Sequence, residues 1–247
     1  ETSLLPDRSL NETRAFDRYT EQTNYRFNTN LVYQATPDDR IAFNALYSEN
    51  DPPSDLLRTI TDYQSSPVSV SIEREDTPST SNNWEFGGDY EHSFSNGSKY
   101  KLLFIVNERN NSSTRERFAS SALGQPETKN LFLDTRSRYR ERIVRTSYGW
   151  GLQEGQSLEI GVEGAQTIQD SSLRLGLNVP GITSPDFGGL HPISVPNAIS
   201  EVEEVRAEGF ATHNWQINQR MSLESSLLYE VSEIEQSSDV NKKRDFD

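Results

Sequence analysis

Residues 84–94 read WEFGGDYEHSF. Trp84, Phe86, Gly88, Tyr90, His92 and Phe94 fall on one side of an extended chain, and Glu85, Gly87, Asp89, Glu91 and Ser93 on the other. Successive strand residues point to opposite faces, so this is a strand with one apolar and one acidic face; a helix would scatter both sets around its circumference. After the turn SNGSK, Tyr100, Leu102, Phe104 and Val106 resume the apolar side. Lys101, Asn107 and Arg109 take the other, with Leu103 and Ile105 as exceptions.

The same alternation recurs around three further turns. Tyr25, Phe27, Leu31 and Tyr33 share a face ahead of TPDDR, with Arg26, Asn28, Asn30 and Gln34 on the reverse; Ile41, Phe43, Ala45 and Tyr47 follow the turn. Val144, Thr146, Tyr148, Trp150 and Leu152 lead into QEGQS, and Leu158, Ile160, Val162 and Gly164 lead out. Ala207, Gly209, Ala211, His213 and Trp215 precede the turn near Asn218, with Leu223, Leu227, Tyr229 and Val231 beyond it and Phe210 out of phase. The reading is eight strands in four hairpins, with tight turns near Asp38, Gly97, Gly155 and Asn218. The connections between hairpins, Glu49 to Asn83, Asn110 to Arg136 and Asp170 to Ser200, read as long polar loops. Short turns on one side and long loops on the other are the pattern of an outer-membrane β-barrel, with short periplasmic turns and long extracellular loops. The fold expected is therefore all-β, an antiparallel up-and-down transmembrane β-barrel segment, with residues 1–247 belonging to one barrel domain.

Aromatic placement agrees. Tyr33, Phe94, Tyr100, Trp150 and Trp215 lie beside the turns, and Tyr25, Tyr47, Trp84 and Tyr229 toward the loops. Such side chains, apolar in body and polar at one edge, favour both membrane interfaces. At roughly 3.3 Å per residue and a tilt near ~40°, Trp84 to Phe94 rises about 25 Å, the height of a barrel's apolar band. A soluble β-sandwich also has aromatic inner faces, but shorter loops.

Composition narrows the function. Of 247 residues only 32% are hydrophobic, as suits a chain that spends apolar residues on one face at a time. A formal net charge of −14 argues against nucleic acid as a partner and against a polybasic membrane-binding helix. Without cysteine there is no disulfide framework, thiolate nucleophile or thiolate metal site. The longest apolar run, Leu102 to Val106, is far below the roughly 18 residues of a transmembrane helix.

No motif carries catalysis. His92, His191 and His213 stand apart, without HExxH or a His-x-His pair. Gly149, Gly151 and Gly155 belong to a strand and its turn, not to a phosphate-cradling loop. On the polar faces, Glu85, Asp89, Glu91, Glu159, Glu163, Glu208, Glu224 and Glu230 alternate with Arg26, Lys101, Arg109, Arg145 and Arg206. In a barrel these line the lumen as a solvated, partly ion-paired wall. No catalytic, cofactor-binding or metal residue is assigned, and the sequence names no ligand-binding residue.

The stretches RYTEQTNYRFNTNLVYQ, RIAFNALYSENDP, WEFGGDYEHSFSNGSKYKLLF, RTSYGWGLQEGQSLEIGVEGA and FATHNWQINQRMSLESSLLYEVSEIEQSSDV resemble the barrel of TonB-dependent outer-membrane receptors. The resemblance implies a 22-stranded barrel holding an N-terminal plug. It also implies energy relayed by TonB and import of siderophores, vitamin B12, haem or carbohydrates. Its implied partners are outer-membrane lipid, TonB and the plug, and its location is the bacterial outer membrane. The chain would then be a wall segment of a larger receptor, since no plug is evident and the hairpin pattern is cut at both ends. Residues 1–23 are expected to finish one more ascending strand and its loop, and the last residues to end inside another loop. A passive porin-type barrel and a soluble extracellular β-sandwich binding module are the alternatives.

Overall fold

The structure, a computed structural model, describes residues 1–246. Apart from a 3-10 turn at Pro185–Phe187, every regular element is a strand, and all belong to one antiparallel up-and-down sheet. The strands are β1 Thr2–Leu4, β2 Leu10–Thr20, β3 Thr23–Gln34, β4 Asp39–Asp51, β5 Ser54–Asp62, β6 Ser69–Thr77 and β7 Ser79–Ser93. They continue with β8 Lys99–Ser120, β9 Thr128–Gln153, β10 Gln156–Leu177, β11 His191–Ile193, β12 Ile199–Asn218, β13 Met221–Ser237 and β14 Lys242–Phe246.

There are thus 14 strands where eight were expected. Half of the excess comes from interruptions within longer runs and half from the short strands β1, β11 and β14. Pro52 and Pro53 separate β4 from β5, and Pro78 separates β6 from β7. Proline has no N–H to give the ladder, so the strand breaks while its course continues. The register shows that continuity: Thr20 faces Ser54 and Thr23 faces Asp51 across the first break, and Asp76 faces Glu116 and Ser79 faces Ser113 across the second. Hairpins β3/β4, β7/β8, β9/β10 and β12/β13 close at the four turns. At the second turn, Ser98 gives its backbone N–H to Asn96 Oδ1 at 3.1 Å and Gly97 adopts φ 81°, where an L side chain is strained.

The long loops are a correction. Most of Glu49–Asn83 and Asn110–Arg136 is strand, as is the start of Asp170–Ser200, and the long runs are connected at that end by 63–68, 121–127 and 178–198, the last containing β11. Likewise residues 1–23 hold β1 and β2, and the last residues form β14, paired back onto β13. Apolar residues there are few and fall on both faces, as at Leu56/Leu57 and Leu131–Leu133, and the short alternations Val68, Val70, Ile72 and Leu173, Leu175, Leu177 sit in polar sequence that read as loop.

Nor do these residues close a barrel: β3 pairs only with β4, and beyond β12 the mostly exposed β13 pairs only with the short β14, through Ser232–Gln236. The sheet is a single layer with almost no core. Among the described residues only Leu56, Ile72, Phe132 and Leu190 are buried apolar side chains, while Phe27 is 65% and Leu227 74% exposed.

The register aligns one face across the sheet. Leu31, Phe43, Gly88, Phe104, Val144, Gly164, Ala207 and Val231 form one row. Another row starts at Asp39, the first residue of β4, and passes His92, Tyr100, Tyr148, Ile160 and Ala211. It ends at Leu227, six residues past the start of β13, having crossed six strand pairs. The turn-side edge therefore slides one residue per strand. With roughly 3.3 Å of rise and 4.8 Å between strands, that slope is a tilt of about 35°, within the range of β-barrels.

Candidate functional site

The first candidate surface is the aromatic face. Rings follow one another along its turn side: His92 and Phe94 with centroids 4.5 Å apart, Phe94 and Tyr148 at 5.8 Å, Tyr148 and Trp150 at 5.6 Å. Ser98, 1% exposed, shares a 2.7 Å hydrogen bond with the Tyr148 hydroxyl, tying the second turn to this girdle. Higher up, the same face changes abruptly. Val106 gives way to Glu108, Val144 to Arg142, Gly164 to Gln166 and Val231 to Glu233.

The polar face is the second surface, and the register puts every charged residue singled out for a lumen wall on it. Arg40 pairs with Asp89 at 2.5 Å, and Lys99 with Glu91 at 2.8 Å. Glu163 sits between Arg145 at 3.6 Å and Arg206 at 2.9 Å, and Arg206 also reaches Glu230 at 3.8 Å. Among the described residues Glu85, Glu159, Glu208, Glu224, Arg26 and Arg109 have no ion-pair partner. Phe210 is not a phase error: it lies on this face under the Arg145 guanidinium, 4.1 Å from its ring centroid.

Above these charges runs an uncharged row: Asn24, Asn50, Ser81, Asn111, Ser137, Ser171 and Ser200. Ser81 Oγ donates to Asn111 Oδ1 at 2.7 Å, Asn111 Nδ2 to Ser137 Oγ at 3.2 Å, and the Ser171 and Ser200 hydroxyls meet at 2.7 Å. At the same level a hollow of about 910 Å³ is lined by Asn82, Asn110, Ser112, Arg138, Asp170 and Ser172 among others.

No protein-family model matches this chain, and no curated protein matches it.

Farther up, the polar face carries a dense ion-pair cluster. Arg115 donates to Glu75 through Nε at 2.9 Å and Nη2 at 2.6 Å, while Arg58 bonds Glu73 and stands 3.6 Å from Glu75. Burial pushes the Glu75 carboxyl up, but the Arg115 hydrogen bonds and the charges of Arg115, Arg58 and Arg117 outweigh it, leaving the group below the usual carboxylate range. On the opposite face Asp134 behaves alike, held by Arg174 at 2.7 Å and Thr114 at 2.9 Å.

The histidines have ordinary partners. His92 Nδ1 lies 2.7 Å from Asp39 Oδ1, His213 Nε2 3.1 Å from Gln156 Oε1, and His191 Nδ1 3.0 Å from Ile182 O. Among the described residues no three potential ligands converge as a metal site. Gly149 and Gly151 lie in β9, and Gly155, at φ 73°, forms the third turn.

Sequence reading missed one group. Arg136, Arg138, Arg140 and Arg142 project alternately from β9 onto the aromatic face, in a stretch read partly as loop. The signal was present as charge alternation in RSRYRER.

Proposed function

We propose that this chain is a wall segment of a bacterial outer-membrane receptor-transporter of the TonB-dependent kind, importing a scarce ligand. The aromatic face meets lipid, the polar face lines the lumen, and the turns near Asp38, Gly97, Gly155 and Asn218 face the periplasm. The observation that carries this reading is the oblique apolar band, one face only, sliding one residue per strand across the seven strands β4, β7, β8, β9, β10, β12 and β13. Charges and the uncharged Asn/Ser row on the lumen side frame a hydrated path or the seat of a plug. A soluble sandwich is disfavoured because no second sheet covers the band among the described residues. The residual choice against a passive porin rests on the barrel resemblance.

Absence of cysteine makes a direct test available. Single variants Phe104→Cys, Glu108→Cys and Gly97→Cys of the native protein in whole cells are treated with a membrane-impermeant maleimide. The expected result is labelling at 108 only, with 97 reached after the outer membrane is permeabilised and 104 protected throughout. Labelling of Phe104→Cys in intact cells would refute the lipid-facing assignment. Energy coupling has its own test: site-specific cross-linking to TonB in vivo, whose absence under ligand-replete conditions favours the porin.

A further inference from the structure

We propose that the aromatic face carries, directly above its apolar band, a docking site for the phosphorylated sugar headgroup of an outer-leaflet glycolipid. The inference rests on the membrane reading above. Arg136, Arg138, Arg140 and Arg142 form a column on that face, roughly 6.6 Å apart along β9, and Val144 follows them as the first band residue. An amphiphile needs this order, acyl contact below and cationic donors above. Val144, Val162 and Phe104, which would take the acyl chains, are 55%, 57% and 41% exposed.

The arginines keep donors to spare. Arg142, at the boundary, contacts only the Gln166 amide oxygen at 3.3 Å and has no carboxylate within ion-pair distance among the described residues. Arg136 is held through Nε alone, 3.3 Å from Asp134, with its side chain 61% exposed. Arg138 gives Nη2 to Glu108 at 2.7 Å; Arg140 gives Nη2 to Asp170 at 2.8 Å, and its Nε is buried without a partner. Planar guanidinium groups presenting several N–H donors match phosphate oxygens bidentately. Beside the column the hollow offers Asn82, Asn110, Ser112 and Ser172, neutral groups suited to sugar hydroxyls.

The chain's charge of −14 selects the kind of anion. A free polyanion would be repelled over distance, and Glu108, Asp170 and Glu201 beside the arginines weaken any loose phosphate. A phosphate anchored by its own acyl chains is delivered by the membrane and needs no long-range attraction.

The test uses the native protein in detergent, with fluorescent diphosphorylated lipid A as the probe. The triple variant Arg136→Gln/Arg138→Gln/Arg142→Gln is compared with Arg26→Gln/Arg109→Gln on the opposite face, each checked for heat-modifiable mobility. The expected result is affinity at least about tenfold weaker for the triple variant and within about twofold of wild type for the control. The single variant Arg142→Gln, with an expected loss of about threefold, supplies the reading if the triple variant does not assemble. Unchanged binding in an assembled Arg142→Gln or triple variant overturns the site, as does equal binding of dephosphorylated lipid. Full displacement by 10 mM inorganic phosphate, a concentration about tenfold above ordinary millimolar phosphate affinities, overturns the lipid assignment in favour of a free-anion site. If Phe104→Cys is protected while lipid binding is unchanged, this inference alone fails; if Phe104→Cys is labelled in intact cells, the membrane reading fails first.

Discussion

The ring of Phe210 occupies the space above Gly161: a Cβ on that glycine would stand 2.6 Å from Phe210 Cε1 and 2.6 Å from Thr146 O. One obstacle is a side chain that can turn, the other a backbone carbonyl that cannot. Gly161→Ala is therefore expected to destabilise the sheet by about 1–3 kcal/mol, the usual cost of overpacking. Phe210→Ala in the same background should restore only part, because Thr146 O remains. Urea unfolding followed by tryptophan fluorescence measures both, and a Gly161→Ala midpoint equal to wild type would show that the ring is not seated there.

The two faces differ in their tolerance of charge. Leu102 and Phe104 lie on the aromatic face, Leu103 between them on the polar one, where it faces Asp89 on one side and Arg145 on the other. If the aromatic face meets lipid, Leu102→Arg or Phe104→Arg costs about 2–4 kcal/mol near the bilayer midplane. Leu103→Arg, beside the Asp89 carboxylate, is expected to assemble. The fraction of heat-modifiable protein in outer-membrane preparations separates the three, and equal assembly would remove the basis for assigning a lipid side.

These contrasts mark what could be read from the chain. Alternation is visible wherever the two faces differ in polarity, so Trp84–Phe94 and its neighbours disclosed their strands, turns and polar-face charges. Between Asn107 and Arg142 the few apolar residues, Phe118 and Leu131–Leu133 among them, do not alternate, the period-two signal vanishes, and the second half of β8 and the start of β9 passed for loop. The prolines at 52, 53 and 78 look like loop punctuation, yet they interrupt runs whose register continues past them. Phe210 looked misplaced because its partner, the vacancy over Gly161, lies on a neighbouring strand 49 positions away in sequence.

Acid sensitivity should concentrate in the upper ion-pair cluster. Glu75, 5% exposed, is held below the usual carboxylate range despite burial. Below an unfolded-chain value of about 4.3 the unfolded state binds more protons than the folded one, so stability rises with pH there. The contribution is complete above that value and is lost as pH falls through the lower folded-state value. Glu75→Gln leaves Arg58, Arg115 and Arg117 facing one another and should cost about 1–3 kcal/mol at pH 7, with Arg115 partly relieved by solvent. The variant should also show a flatter stability profile between pH 5 and 3, a window set by the carboxyl range of about 4. Profiles of unchanged slope would assign the acid response elsewhere.

The connection 178–198, tied to β10 by the β11 ladder, also packs on the sheet at Gly188. Gly188 has φ 64°, and a Cβ there would lie 2.5 Å from Phe132 Cδ2 and 2.9 Å from Cγ. Its carbonyl accepts from Lys129 Nζ at 3.1 Å, and Lys129 in turn pairs with Glu116 at 2.5 Å. Phe132, buried, lies against Gly188, and Leu190, also buried, belongs to the same turn, its N–H donating to Phe187 O at 3.1 Å. Gly188→Ala adds left-handed backbone strain of about 1–2 kcal/mol to a clash with a ring on the sheet. The cheapest relief is for the segment to lift, because it has little other burial to lose. Chymotrypsin should then cut at Phe187 and amides across 178–198 should exchange faster, while the turn-side ladders keep wild-type protection. Faster exchange throughout the sheet would mean that Gly188 supports the whole wall and not one connection.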